Sequence, residues 1–391
     1  MRGRKLKIAF NIDHFRPDKG GAERYLIDLV TFLLDNGHEV HVFAMDGEQT
    51  IQHERFTFHR VGVLTWFRWL RSLCFVIKSS KMIGAHCFDI VQVLGKNLTM
   101  DIFQPHGGSH RASFRQNIIA SGESKITRLF YAFFRLLDPK QVLFFVIEWL
   151  QFHRKPLPEI LIISKMIGND LKRYYRVPDE KMHLIYNGVD LSRFSLECRR
   201  RYRCDTRGLL GVEKTQKLLF FVGHNFKLKG LRYFLEAVKI VADKKGTNTV
   251  RACVVGSGNK KRFEKYATGL GVKECCIFSP SVANIEQYYA AADVLVQPTF
   301  YDPCSLAVLE ALACGVPVVT TRFNGAGELI EQGETGVVVD NPRDSNAIAQ
   351  GILHFIEADA EIVAMRASAS MNLYGIDKIF QRILDFYKSE L

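Results

Sequence analysis

Residues 294–320 read Val294-Leu-Val-Gln-Pro298-Thr-Phe-Tyr-Asp302-Pro303-Cys-Ser305-Leu306-Ala307-Val-Leu-Glu310-Ala-Leu-Ala-Cys-Gly315-Val316-Pro-Val-Val-Thr320. Val294–Pro298 is a short, β-branched apolar run of the kind that forms a buried strand. A loop carrying one acid, Asp302, follows it. Pro303 sits where the first turn of a helix tolerates proline. Ser305–Cys314 then has helical composition, and Gly315 is a helix stop. Val316–Thr320 is the next strand. Strand, helix and strand in this order predict a parallel sheet with helices on its faces.

The same rhythm extends in both directions. Before this segment come strands at Leu218–Val222, Arg251–Val255 and Ile277–Phe278, alternating with helices at Gly230–Ala242, Arg262–Leu270 and Ile285–Ala291. A short strand at Val337–Val339 and helical patterns from Ser345 follow. The first half alternates likewise. Strands are expected at Lys7–Ile12, Val40–Ala44, Ile90–Leu94 and Glu159–Ser164, with a helix at Glu23–Leu34 ended by Gly37. Residues 187–215, rich in charge and turn formers, read as the linker. The expected organisation is therefore α/β, with two Rossmann-like doubly wound domains at 1–190 and 191–376. A last helix, about 377–391, is expected to pack back on the first domain. Ligands of such folds sit at the carboxyl ends of the strands, so two facing units imply a cleft.

The 391 residues are enough for two cores, and 47% of them are hydrophobic. No run of about 18 apolar residues occurs, which argues against a transmembrane helix. The first residues lack the apolar stretch of a signal peptide. Nine scattered cysteines without a C-x-x-C pair read as reduced thiols. These features point to a cytoplasmic protein. The net charge is +12, with +8 carried by residues 1–190. Within 64–81, Trp66, Arg68, Trp69, Arg71, Lys78 and Lys81 interleave with apolar residues and no acid. That pattern suits an anionic membrane surface, at the inner face of the membrane, against the plainer reading of core aromatics with snorkelling cations. Phe130–Phe152 is also rich in aromatics but ranks lower. Nothing points to a nucleic-acid partner.

Asp302 precedes the Ser305–Cys314 helix, and Glu310 lies about two turns in. Alone, Asp302 reads as a helix-capping acid and Glu310 as a surface residue. Together they suggest more. The backbone N–H groups around Cys304, Ser305, Leu306 and Ala307 form an anion site suited to a diphosphate. A carboxylate accepts two hydrogen bonds at once and so suits paired hydroxyls of a ribose or hexose. Further candidates lie at other strand ends: Gly223, Lys227 and Lys229 after one strand, Gly256 and Gly258 after the next. In the first half, Gly20 and Gly21 open a helix, and His106 follows a strand beside Gly107 and Gly108.

The 302–310 segment resembles the E-x7-E signature of glycosyltransferase family 4, with Asp302 replacing the first Glu. Agreement continues in Phe221-Val-Gly223-His-Asn-Phe-Lys227-Leu-Lys229-Gly230, Val254-Val-Gly256-Ser-Gly258, Asn324-Gly-Ala-Gly327-Glu328, Asn187-Gly-Val-Asp190 and Lys19-Gly20-Gly21. Within the family the resemblance is strongest to lipopolysaccharide core glucosyltransferases acting on heptose. It implies a GT-B fold and a retaining transfer of a hexose, glucose from UDP-glucose, to a lipid-linked glycan acceptor.

The resemblance also implies roles. Asp302 meets the donor hexose, Glu310 the ribose, and Lys229 with Lys227 the phosphates. Gly20, Gly21, Gly223, Gly256, Gly258, Ser305, Leu306 and Ala307 complete the donor site, and Asp302, Lys229 and His106 are the catalytic candidates. No D-x-D motif is present at a strand end, so neither metal nor cofactor is expected beyond the nucleotide-sugar cosubstrate. The alternatives are a nucleotide-sugar epimerase of the same architecture and a non-catalytic carbohydrate-binding protein.

Overall fold

The computed structural model describes residues 4–47, 51–63 and 65–391. Leu64, the first residue of the 64–81 stretch, lies outside them. Two compact units divide the chain. One comprises residues 1–118, 122–186 and 379–391, and the other 119–121 and 187–378.

The second unit holds a six-stranded sheet. Its spatial order is Cys276–Ser279, Val250–Val255, Lys217–Val222, Val294–Gln297, Val318–Thr321, Gly336–Val339, and every pairing is parallel. Leu218, Leu219, Phe220 and Phe221 are all fully buried, although successive side chains of a strand point to opposite faces. Helices therefore cover both faces, as a parallel sheet requires. On one face Phe221 and Val254 pack with Phe234 and Val238 of the Leu231–Lys245 helix and with Ile352 of the Ser345–Glu357 helix.

The first unit holds seven parallel strands in the order Phe56–Arg60, Glu39–Ala44, Lys7–Asn11, Ile90–Val93, Ile102–Phe103, Glu159–Ile162, Met182–Leu184. The helix Ile376–Ser389 supplies its last layer. Phe380 lies 5.5 Å from Tyr25 and 5.7 Å from Phe32, ring centre to ring centre, and the Tyr387 hydroxyl donates to Gln92 Oε1.

In both sheets the strand order runs outward from two central strands, so each has a point where the connections change direction. The expected strands are present. Phe56–Arg60, Ile102–Phe103 and Met182–Leu184 are additional strands that sequence periodicity did not mark.

The stretch read as a linker is a correction, because a helix, Leu196–Leu209, occupies its centre. Arg199, Arg203 and Arg207 form one face of that helix at four-residue spacing. They donate to the carbonyls of Ala290, Ala291 and Ala292, which end the helix Ile285–Ala291. Cations at a helix C-terminus are favoured by its dipole and its unpaired carbonyls. Asp293 anchors the set, accepting from Arg203, from Arg207 at 3.0 Å and from the Leu218 N–H at 2.7 Å. Burial alone would raise its pKa, yet Arg203, the Leu218 N–H and Arg207 hold it below the usual carboxylate range. Asp293→Ala leaves two largely buried guanidinium groups without a carboxylate. A loss of about 3–5 kcal/mol is expected, visible by calorimetry as an earlier transition of the second unit. A shift under one degree would contradict it.

Candidate functional site

Lys217–Val222 and Val294–Gln297 are the two central strands of the second sheet, and Leu219 pairs with Val294. The chain leaves them toward opposite edges. The loops that follow, 223–230 and 298–305, therefore border the crevice where such folds bind ligands.

These loops are bound to each other. The Phe300 N–H donates to the Leu228 carbonyl at 2.8 Å, and the Thr299 hydroxyl to the same oxygen at 3.1 Å. Gly230 makes the approach possible. Its φ is +80°, and a Cβ there would lie 2.0 Å from the Pro298 carbonyl oxygen. The result brings Lys229 to Asp302, whose carboxylate pairs with the lysine ammonium. Both side chains are mostly buried.

The other glycines of this region shape the lysine loop. A Cβ on Gly223 would meet the Lys229 stem at 3.0 Å, so a side chain there would push the lysine aside. At Gly256 a Cβ would fall 1.9 Å from the Gly223 carbonyl oxygen, and at Gly258 2.2 Å from the Phe226 ring. Gly256 and Gly258 thus let the neighbouring turn pack on the 223–226 loop. His224 holds Ser257 through Nδ1 at 2.8 Å. Lys227 is exposed at the edge of the loop.

The Leu306–Ala313 helix starts beside this pair, with Ser305 as its N-cap. The Ser305 hydroxyl does not cap the helix; it donates to Gln297 Oε1 at 2.8 Å. The first turn, with Leu306 and Ala307 half-buried, therefore has no side-chain cap of its own. Asn324 ties a second loop to this start. Its Oδ1 accepts from the N–H groups of Ser305 at 3.3 Å and Ala326 at 3.1 Å. Its Nδ2 donates to Thr320 Oγ1 at 3.1 Å. The Gly325 N–H reaches the Asp302 carbonyl at 2.9 Å, and the Asp302 N–H the Phe323 carbonyl at 2.8 Å. Glu310 is half-buried on the same helix, and the Tyr289 hydroxyl donates to its Oε2 at 2.7 Å.

The structure thus brings Gly223, Lys229, Asp302, Ser305, Leu306 and Ala307 together, with Glu310 two turns along. It also supplies residues that sequence reading missed. Gln297 and Tyr289 hold Ser305 and Glu310. Asn187, at the start of the stretch read as a linker, lies buried in the second unit and donates to the Cys304 carbonyl at 2.9 Å. A polar residue at the end of an apolar strand, as Gln297 is, was the available signal.

The first unit has its own candidates. Gly20 precedes the helix Gly21–Asp35, and a Cβ on it would lie 2.8 Å from Glu23 Oε2. His106 is buried, its ring 4.6 Å from that of Tyr25 on the same helix. Asp13 and Lys96 follow the two central strands of this sheet and were not singled out from sequence. Burial raises the Asp13 pKa against the pull of Lys96, and it lowers that of Lys96 against the pull of Glu148 and Asp13. Among the described residues, no group of three or more His, Cys, Asp or Glu is placed to hold a metal ion.

A family model described as Glycosyltransferase Family 4 matches residues 19–193, and one described as Glycosyl transferases group 1 matches residues 216–358. An uncharacterized glycosyltransferase of Methanocaldococcus jannaschii is 28% identical over 236 residues, 59% of this chain and 60% of its own. The lipopolysaccharide glucosyltransferase WaaG of Escherichia coli is 28% identical over 183 residues, 47% of this chain and 48% of its own. The chain spans about half the length of the curated relatives it matches. Among solved structures, a crystal structure of WaaG superposes with a TM-score of 0.82 at 20% identity, covering 97% of this chain and 99% of that one. Anabaena HepE in complex with UDP and glucose gives 0.70 at 21% identity, over 98% and 100%. The fold is GT-B, with two parallel α/β domains.

Proposed function

The chain belongs to the family 4, group 1 glycosyltransferases, and on that premise we propose that it moves glucose from UDP-glucose to a lipid-linked glycan with retention. The observation that carries this reading is the Lys229–Asp302 pair at the start of an uncapped helix. A diphosphate laid on the first-turn N–H groups would receive their partial positive charge and that of the Lys229 ammonium. Stabilising the leaving diphosphate is the main task of the protein in such a transfer. Lys227 adds charge at the edge.

Asp302 has two tasks in this scheme. It meets the donor hexose, and it holds Lys229 in position before the donor arrives. Glu310, steadied by Tyr289, takes the ribose hydroxyls. Neutralisation by lysine and helix leaves no need for a metal. The second unit is the donor side, and the first unit is the acceptor side. The donor is taken from the likeness to HepE, which is seen in complex with UDP-glucose, and the acceptor from the likeness to WaaG, a lipopolysaccharide glucosyltransferase. A lipid-linked acceptor places the protein at the cytoplasmic face of a membrane, with 64–81 against anionic lipid. Among the described residues no helix is long and apolar enough to cross a membrane.

The test is release of nucleoside diphosphate from UDP-, GDP- and ADP-sugars, with and without lipid-linked glycan and with and without chelator. Acceptor-dependent release of UDP from UDP-glucose, unchanged by chelator, is expected. Donor consumption without any acceptor would favour an epimerase. Loss of activity to chelator would end the metal-free scheme.

A further inference from the structure

The first unit carries a run of exposed apolar side chains on two consecutive helices. Helix Lys125–Leu136 has no buried residue at all. Ile126, Leu129, Phe130, Phe133, Phe134 and Leu137 are all exposed, Leu129 at 72%. Their spacing of three and four residues puts them on one stripe of the helix. The next helix, Pro139–His153, packs against it and adds exposed Val142, Val146, Trp149 and Leu150. It also packs against the helix Arg68–Gly84, which is preceded by exposed Trp66 and Phe67.

Tryptophan gives the second observation. The chain has three, and all three are exposed here: Trp66 at 101%, Trp69 at 37% and Trp149 at 52%. Tryptophans are usually well buried in a core, whereas at the edge of a bilayer an amphipathic ring sits comfortably. Charge gives the third. Between residues 124 and 147 the only acid is Asp138, and it caps the Lys140 N–H, while Lys125 is an exposed cation and Arg128, Arg135 and Lys140 are half-buried ones.

We infer that the hairpin of helices Lys125–Leu136 and Pro139–His153 is an insertion element for an anionic lipid surface. This deepens the lipid-facing part of the proposed function and rests on that reading for its purpose. The phenylalanine and leucine stripe enters the acyl boundary, the tryptophans lie at headgroup level, and the cations meet lipid phosphates. The ranking of the two aromatic stretches is thereby reversed. Helix Arg68–Gly84 buries Phe75, Val76 and Ile83 in the protein, so residues 65–81 are a flank and the hairpin the main contact. A second copy of the chain suits the surface less well, because a two-fold pairing brings the cations of the rim toward their own copies.

The full chain can be floated with phosphatidylcholine vesicles, with or without one-third phosphatidylglycerol, at physiological salt. Binding to the anionic vesicles is expected, with quenching of the native tryptophans by brominated lipid. Leu129→Ser with Phe133→Ser should weaken partitioning roughly tenfold or more, and more than Trp66→Ser with Trp69→Ser. Lys125→Glu should weaken it on anionic vesicles alone. All these side chains lie on the surface, so an unchanged thermal melt is expected and checks the fold.

Wild-type protein that stays at the bottom of the gradient overturns the inference. So does hairpin substitution without effect, or a solution dimer that Leu129→Ser with Phe133→Ser splits. UDP release with detergent-dispersed acceptor should remain within about twofold in the hairpin variants. Vesicle binding without any such release in wild type would remove the transferase reading and leave the lipid surface standing.

Discussion

Lys229→Met is expected to lower kcat with the nucleotide sugar by about 100- to 1,000-fold, the range seen when a preorganised charge at a developing anion is lost. Methionine keeps most of the stem that packs on Gly223, so the loop keeps its shape. The charge is what disappears. The variant also leaves the mostly buried Asp302 carboxylate without its ammonium, which costs stability. Asp302→Asn added to Lys229→Met should return that stability and none of the turnover. Steady-state kinetics and thermal melts of the two variants separate the effects. Turnover within about fivefold of wild type in Lys229→Met would remove the lysine from the site.

Glu310→Ala is expected to weaken donor binding by about 100-fold, equivalent to two charge-assisted hydrogen bonds to a ribose. Glu310 is half-buried on a surface turn of its helix, and alanine is the best helix former, so the fold tolerates the change. Tyr289→Phe should cost far less, since it removes only the bond that orients Glu310 Oε2. Glu310→Gln should fall between the two, retaining one acceptor. Calorimetric titration with UDP reads all three without any acceptor. Near-normal turnover in Glu310→Ala would sink the assignment of this residue.

Much of the fold was readable because buried parallel strands are unbroken apolar runs. Leu218–Phe221 and Val294–Val296 could be nothing else once glycine and proline bounded them. Phe56–Arg60 escaped because Thr57 and Arg60 are exposed and the run looks polar. Ile102–Phe103 is too short for any period to register. The acid pair and the lysine loop were visible as motifs, but the contact between Lys229 and Asp302 crosses 73 positions of chain. No local pattern reports such a pairing.

The arginines of 199–207 mislead for the same reason. They read as solvated charge, and their partners are carbonyls more than 80 positions away. Burial was the hardest property to read. Phe75 and Phe133 are the same residue in similar company, yet one lies in a core and the other in solvent.

The C-terminal helix has a bearing on how the chain emerges from the ribosome. Ile379, Phe380, Ile383 and Tyr387 complete the first unit, yet they are made after the whole of the second. During synthesis the first sheet must wait, with Tyr25 and Gln92 uncovered, while about 190 further residues appear and fold. The first half of the chain is the last to be sealed. Nascent chains halted before Ile376 should therefore depend on chaperones through their first half, although that half was translated first.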